Sequence, residues 1–310
     1  MRTILVAALL AAFARLELTA GSQEPPPVFK SSVAVVPISA VVHDRHGRRV
    51  TSLTATDFEV LDKGERRRIL DFQTDHSAPI TMAVLMDTSG SMRMPAKSTF
   101  ALEVVKYLSA GLEDGRDEVS LFTFDASLHE RQPFTVHPAA IESAASSAEP
   151  FGVTSLYDAV AETARRLSTR PSPRRAIIVL TDGLDTSSAS TAAQVSGLAS
   201  SIDVPVYVVA TVPAIDREIY LDRASARQTS TDLRDLATQT GGELFWVTSQ
   251  QEAVRQAGQI VAELRHQYLI TIESATEPEW RPIEIRMRNR RLAVRARSGY
   301  FSRDDHNIRQ

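Results

Sequence analysis

The chain has 310 residues, of which 43% are apolar and 24% charged, and this ordinary globular composition excludes disorder as the default. Its formal net charge of −3 argues against a nucleic-acid binder that works through bulk positive charge. Cysteine is absent, which excludes disulfides and thiolate metal sites.

The first 20 residues have the pattern of an export signal. A charged start, Met1-Arg2, precedes an apolar run at 4–14, and Leu18-Thr19-Ala20 fits a cleavage site. The run is shorter than the roughly 20 residues that a membrane helix needs. We therefore predict a signal peptide at 1–20, a Pro-rich linker at 21–30 and a periplasmic or secreted protein, with an uncleaved anchor as the alternative.

A small β region outside the main sheet is predicted over residues 31–77. Apolar residues alternate from Val35 to Val42 with a period of two, which is typical of a strand. Phe58–Leu61 and Arg67–Leu70 flank a turn at 62–64 and indicate a hairpin.

Strands and helices alternate over residues 78–265, which predicts an α/β domain with a doubly wound, mostly parallel six-stranded sheet and helices on both faces. A short turn at 125–127 makes one edge strand antiparallel. The predicted strands are 80–86, 118–124, 128–134, 175–181, 205–211 and 243–247. The predicted helices are 97–111, 138–146, 155–169, 189–201, 231–239 and 250–265.

Asp87-Thr88-Ser89-Gly90-Ser91 directly follows the first strand of this sheet. The carboxyl ends of parallel strands are where open α/β sheets bind ligands. One carboxylate and two hydroxyls in a tight turn are hard oxygen donors, which suit Mg²⁺, Mn²⁺ or Ca²⁺ and not zinc.

Two further segments are expected at the same edge. Gly152–Asp158 leads into a helix, and Asp182 ends the strand Ile177–Thr181. The structural alternative is that the serines and Thr154 cap helices and that Asp182 belongs to a turn. Asp158 and Asp185 are interpreted as local caps or hydrogen-bond partners and not as metal ligands.

These three segments together resemble the von Willebrand factor A family, whose metal-ion-dependent adhesion site combines D-x-S-x-S with a distant Thr and a distant Asp. The resemblance implies hydroxyl ligands from Ser89, Ser91 and Thr154, while Asp87 and Asp182 hold the ion directly or through water. It implies a divalent cation, Mg²⁺ before Mn²⁺ or Ca²⁺, and a partner protein that donates a Glu or Asp carboxylate. The implied function is a non-enzymatic protein-binding or adhesion module with no catalytic residues.

Residues 266–303 return to a period of two, and 304–310 form a tail. Short β segments on both sides of an α/β domain are each too small to bury a core, so we predict that 31–77 and 266–303 pair into one β-sandwich-like domain. This arrangement also resembles a secreted bacterial subgroup of von Willebrand factor A-related proteins. Arg295 and Arg297 are placed on the solvent side of this sheet.

Two other functions stay open at this point. Asp87 is a candidate nucleophile of a Mg²⁺-dependent phosphatase similar to haloacid dehalogenases. Ser89 stands where those enzymes carry a second Asp, and none of the four lysines, Lys30, Lys63, Lys97 and Lys106, is expected at the site. A cytosolic A-domain partner of an ATPase, as with magnesium chelatases, conflicts with the export signal. The charged segment 213–230 is interpreted as a recognition insert or a mobile loop.

Overall fold

The computed structural model describes residues 34–74, 77–183, 185–211 and 224–302, with the backbone alone described over 224–230. The predicted signal peptide, linker and tail, and most of the 213–230 segment, lie outside these residues. Among the described helices, none combines the length and the apolar character that crossing a bilayer requires.

The strands and helices follow one another in the order that the sequence periodicity predicts. In chain order the strands are β1 (Val35–Asp44), β2 (Phe58–Asp62), β3 (Glu65–Arg67), β4 (Ile69–Gln73), β5 (Ile80–Asp87), β6 (Glu118–Phe124), β7 (Leu128–Thr135), β8 (Arg174–Thr181), β9 (Val206–Thr211), β10 (Leu244–Val247), β11 (Tyr268–Glu273), β12 (Trp280–Met287), β13 (Leu292–Ala296) and β14 (Gly299–Phe301). The helices are α1 (Pro95–Gly111), α2 (Ala140–Ser146), α3 (Leu156–Ser168), α4 (Ala192–Ser201), α5 (Ala224–Thr240) and α6 (Gln250–Arg265).

The central sheet has six strands in the order β10-β9-β8-β5-β6-β7. All neighbours are parallel except β6 and β7, which are antiparallel, so the predicted sheet and its antiparallel edge are confirmed. β5 and β8 lie in the middle, and every residue of β5 is buried. Their carboxyl ends therefore open at one edge of the sheet, side by side.

Helices cover both faces of this sheet. One core joins α1, α2 and α6 to one face, and a second core joins α3, α4 and α5 to the other. The apolar stripe of α1 from Ala101 to Leu112 is buried against the sheet, as its helical spacing predicts.

The flanking strands form two further four-stranded sheets, β13-β1-β11-β4 and β14-β12-β2-β3. Strands from before and after the α/β region pair directly, β1 with β11 and β2 with β12, which confirms the sandwich-like flank. The predicted hairpin is partly wrong: β2 pairs with β3, but Ile69 and Leu70 belong to β4, which crosses to the other sheet and pairs with β11. The division into domains at residues 78 and 265 stays a prediction.

The solvent-side placement of Arg295 and Arg297 is wrong. Arg297 is 3% exposed and donates to the Ser200 carbonyl oxygen at 2.6 Å, and its guanidinium lies 3.5 Å from Asp203. Arg295 pairs with the buried Glu263 of α6. A period of two separates the faces of a strand but does not reveal that a second layer covers both of them.

These contacts lie at the amino edge of the central sheet. Asp203 precedes β9, and Gly241 precedes β10. The main chain of Arg297 passes so close to Gly241 that a Cβ there would lie 2.9 Å from the Arg297 nitrogen, and the φ of Gly241 is +88°. The flanking sheets therefore meet the α/β part at the edge opposite the Asp87 motif.

Candidate metal centre

Asp87 is the last residue of β5, and its carboxylate is buried. Its Oδ1 accepts a hydrogen bond from the Ser89 backbone nitrogen at 2.8 Å, and its Oδ2 accepts one from the Thr181 hydroxyl at 2.7 Å. Burial raises the pKa of Asp87 to about 6, although the hydrogen bonds from Thr181 and Ser89 act in the opposite direction. The negative charge of Asp182, which directly follows the neighbouring strand β8, also raises this pKa.

The two serines of the motif face each other across Gly90. Their hydroxyl oxygens are 2.9 Å apart, with Ser89 buried and Ser91 exposed to solvent. Ser89 precedes a short 3-10 turn, Gly90–Arg93, that contains Ser91, and α1 follows this turn with Met94 as its N-cap. Neither serine makes a side-chain cap at these helix starts, so the capping alternative is wrong for both. Ser91 marks the side from which solvent reaches the site.

The loop that carries Thr154 is tied to the motif by backbone hydrogen bonds. Gly90 donates to the Gly152 carbonyl oxygen at 3.0 Å, and Phe151 donates to the Thr88 carbonyl oxygen at 2.6 Å. Gly152 has a φ of +90°, in the left-handed region that favours glycine. Thr154, two residues on, is buried.

The segment after Asp182 fixes the start of α3. The Asp185 carboxylate accepts from the Leu156 nitrogen at 2.8 Å, and the Asp158 carboxylate accepts from the Ala189 and Ser190 nitrogens at 2.8 and 2.9 Å. Both aspartates accept hydrogen bonds, as the sequence indicates, but the prediction of local partners is only partly right. The backbone donors lie about 30 residues away in sequence, and of these donors only the Ser188 hydroxyl, which donates to Asp185 at 2.6 Å, is local. The Ser155 side chain, at the N-cap of α3, makes no capping bond.

Asp182 is buried directly after β8. Its Oδ2 accepts from the Lys97 ammonium at 2.8 Å, and its Oδ1 is buried with no hydrogen-bond partner among the described residues. The Lys97 ammonium also donates to the Ser91 carbonyl oxygen at 3.2 Å. The expectation of no lysine at the site is therefore wrong: Lys97 reaches it from the first turn of α1.

The structure thus brings the three predicted segments to the same edge of the sheet. Thr181 joins Asp87 to the end of β8, Lys97 joins Asp182 to the motif, and Gly152 joins the Thr154 loop to it. No group of three His, Cys, Asp or Glu side chains is arranged for a metal within the described ranges. The ligand roles of the five residues stay a prediction.

The donor set fits a hard divalent cation. Asp182 Oδ1 is a buried carboxylate oxygen without a hydrogen-bond partner in the described part of the chain, and such an atom is costly unless a donor or a cation meets it. The neighbouring serine hydroxyls and the second buried carboxylate are oxygen donors of the kind that Mg²⁺, Mn²⁺ and Ca²⁺ prefer.

Comparison with known proteins agrees with the fold and the motif. Residues 82–184 match the family model of the von Willebrand factor type A domain, which confirms the resemblance. A search of curated proteins found no match.

Solved structures resemble the chain at low identity. A von Willebrand factor type A protein from Catenulispora acidiphila is 13% identical, with 87% of this chain and 73% of that chain covered and a TM-score of 0.51. BatB, a conserved hypothetical protein from Bacteroides thetaiotaomicron, is 17% identical over 60% of this chain and 98% of its own, with a TM-score of 0.49. The Catenulispora structure supports the overall fold.

Proposed function

We propose that this chain, whose residues 82–184 match the von Willebrand factor type A domain, is a metal-dependent protein-binding module that acts outside the cytoplasm. In this proposal one divalent cation is bound, Mg²⁺ before Mn²⁺ or Ca²⁺. Five residues hold it: Asp87, Ser89, Ser91, Thr154 and Asp182. When bound, the ion supplies a positive charge that a Glu or Asp side chain of the partner protein can ligate.

The observation that carries this proposal is the state of the two carboxylates. Asp87 and Asp182 are 2% and 1% exposed, and Asp182 Oδ1 has no hydrogen-bond partner among the described residues. Two buried carboxylates close together are unfavourable unless positive charge compensates them. A cation between them and the serine hydroxyls removes this cost.

The rim of the site supports a protein partner over a small molecule. Phe151, Val153 and Met94 are 70%, 49% and 43% exposed, and they flank the loops that carry the site. The guanidinium of Arg93 lies 5.7 Å from the centre of the Phe151 ring. Exposed apolar side chains beside a polar centre are typical of interaction surfaces, and Arg93 favours an acidic partner.

Asp87→Ala is expected to abolish divalent-cation binding and, with it, cation-dependent partner binding. Free Mn²⁺ can be measured by electron paramagnetic resonance, and partner capture from envelope extract can be compared with and without chelator. Because Asp87→Ala also removes the acceptor for Thr181 and Ser89, the exposed Ser91→Ala serves as a second variant that disturbs the fold less. Asp71→Ala, an exposed carboxylate of β4, is the matched control. Unchanged Mn²⁺ binding by Asp87→Ala and Ser91→Ala would overturn the proposal.

One observation favours the phosphatase alternative: Lys97 supplies a positive charge beside the carboxylates. Two observations oppose it. Both oxygens of Asp87 accept hydrogen bonds and the side chain is buried, so the nucleophile is poorly accessible, and Ser89 replaces the acid or base. Turnover of p-nitrophenyl phosphate with Mg²⁺ that is lost in Asp87→Ala would favour the enzyme.

The proposed location outside the cytoplasm depends on the sequence of residues 1–20. The charged start, the apolar run and the small residues before Gly21 support export. Mass spectrometry of the N-terminus of the protein from an expressing cell tests this part, and a mature protein that begins at Gly21 is the expected result.

A further inference from the structure

The ammonium group of Lys97 lies inside the cluster of candidate ligands. Its Nζ is 2.8 Å from Asp182 Oδ2 and 3.2 Å from the carbonyl oxygen of Ser91. The Lys97 side chain is 15% exposed and that of Asp182 1%, so this ion pair is largely removed from solvent. Screening by water is therefore weaker than for a surface pair.

We infer that Lys97 is a tethered cation that compensates Asp182 in the metal-free protein and must leave it before a divalent ion binds, so that Lys97 sets the metal affinity of the site. This inference rests on the proposed metal centre. It concerns a residue outside the D-x-S-x-S motif and outside the five proposed ligands.

The charge balance of the site supports this role of Lys97. The metal-free site holds the two buried carboxylates of Asp87 and Asp182, and the ammonium of Lys97 is paired with Asp182. One positive charge offsets part of the negative charge, and the ion pair holds the Asp182 carboxylate in place. A divalent ion carries two positive charges and compensates both carboxylates by itself, so that the ammonium is no longer needed.

The two oxygens of the Asp182 carboxylate have different surroundings. Lys97 occupies Oδ2, while Oδ1 is buried with no hydrogen-bond partner among the described residues. A small divalent ion binds a carboxylate oxygen at about 2.0 to 2.1 Å. An ion on Oδ1 would share one carboxylate with the ammonium on Oδ2, and two like charges on one carboxylate, with little water between them, repel strongly.

The Lys97 side chain is able to leave Asp182. A lysine carries a compact charge on a flexible four-carbon stem, and its ammonium group does not depend on a fixed bidentate geometry as a guanidinium does. Ser91, whose carbonyl oxygen is its second acceptor, is exposed to solvent. The ammonium can therefore move from Asp182 to water without a rearrangement of β8 or α1.

The test compares Lys97→Met with Lys106→Met in the full chain. Both lysines lie on α1, but the Lys106 ammonium contacts the Tyr107 ring and no carboxylate of the site. Calorimetric titration with Mn²⁺ alone gives the affinity of each variant. We expect Lys97→Met to bind Mn²⁺ about tenfold more tightly than the wild type, because the competing cation is gone, and Lys106→Met to bind as the wild type does.

A second readout follows the ammonium itself. Because the chain contains only four lysines, protein labelled with ¹³C at the lysine Cε gives four signals, and Lys97→Met identifies one of them. Addition of Mg²⁺ should shift the Lys97 signal towards the position of a solvated lysine and leave the signals of Lys63 and Lys106 unchanged.

The outcomes separate this inference from the proposed function. Equal or weaker Mn²⁺ binding by Lys97→Met, or a Lys97 signal that Mg²⁺ leaves in place, overturns the role of Lys97 while the metal centre stands. If neither the wild type nor Lys97→Met binds Mn²⁺ or Mg²⁺, the metal centre itself is wrong and the inference falls with it.

Discussion

Thr181 holds the Asp87 carboxylate from the neighbouring strand. Its hydroxyl donates to Asp87 Oδ2 at 2.7 Å, and both side chains are buried. Thr181→Val removes this donor and leaves a buried acceptor unpaired, which we expect to cost about 1–3 kcal/mol of the free energy of unfolding in the metal-free protein. Urea unfolding with added chelator measures this loss.

A second buried threonine provides the control for Thr181. The Thr163 hydroxyl on α3 is buried and has no hydrogen-bond partner among the described residues, so Thr163→Val keeps the volume and removes only an unpaired polar group. It should be neutral or stabilising. Equal losses for both substitutions would show that Thr181 acts through packing alone.

At the scale of single residues, the sequence predicted the site residues that lie close together along the chain. Asp87, Ser89 and Ser91 are identifiable because they lie within one turn after an apolar strand. Lys97 and Thr181 were missed for different reasons. Lys97 belongs to the polar face of a predicted helix, where a lysine normally reaches solvent, and Thr181 is one alternating residue of a buried strand. Only the packing of α1 and β8 against β5 gives these side chains their partners.

At the scale of elements, α3 is capped by another segment. Leu156 donates its backbone N–H to Asp185, while those of Tyr157 and Asp158 go to the Ser188 hydroxyl, so loop 185–190 satisfies the first turn. Asp185→Ala should cost about 0.5–2 kcal/mol, as for other lost caps. The amides of residues 156–158 should also exchange hydrogen faster, which mass spectrometry or nuclear magnetic resonance measures.

The control for Asp185 is Asp114→Ala. Asp114 is an exposed carboxylate that contacts the exposed His137, and its loss should leave the exchange of residues 156–158 unchanged. If Asp185→Ala also leaves these amides protected, the cap is carried by Ser188 alone.

Element positions were predictable from periodicity, while contacts between elements were not. The predicted strand at 118–124 and helix at 250–265 agree with β6 and α6, because period two and period 3.6 are local properties of the chain. The crossing of β4 to the other flanking sheet depends on its pairing with β11, about 200 residues away in sequence, and no local pattern reveals it.

At the scale of the whole molecule, the flanking sheets and the α/β part share buried ion pairs at the edge opposite the metal centre. Glu263 of α6 is fully buried, pairs with Arg295 of β13 and accepts a hydrogen bond from the Tyr207 hydroxyl of β9 at 3.1 Å. Burial raises the pKa of Glu263, but His43 at 3.4 Å and the charge of Arg295 outweigh it, and the net direction is lowered.

This lowered pKa gives a pH dependence of definite sign. The unfolded chain binds a proton at Glu263 near the ordinary value of 4.5, and the folded chain binds it only at lower pH. The stability that Glu263 contributes is therefore fully present above about pH 4.5 and is lost as the pH falls through the folded pKa. Urea unfolding of the wild type should show this loss as the pH falls below about 4.5.

Glu263→Gln should be less stable than the wild type at about pH 7, because Arg295 then lacks its buried partner, and its stability should fall less steeply below about pH 4.5. Glu284→Gln is the control, since Glu284 pairs with Arg286 on the exposed surface of β12 and its pair is screened by water. Mn²⁺ affinity should be the same in both variants, since the two edges of the sheet are about 25 Å apart, which is the length of β5. A changed affinity in Glu263→Gln would mean that the flanking sheets and the metal centre are coupled through the central sheet.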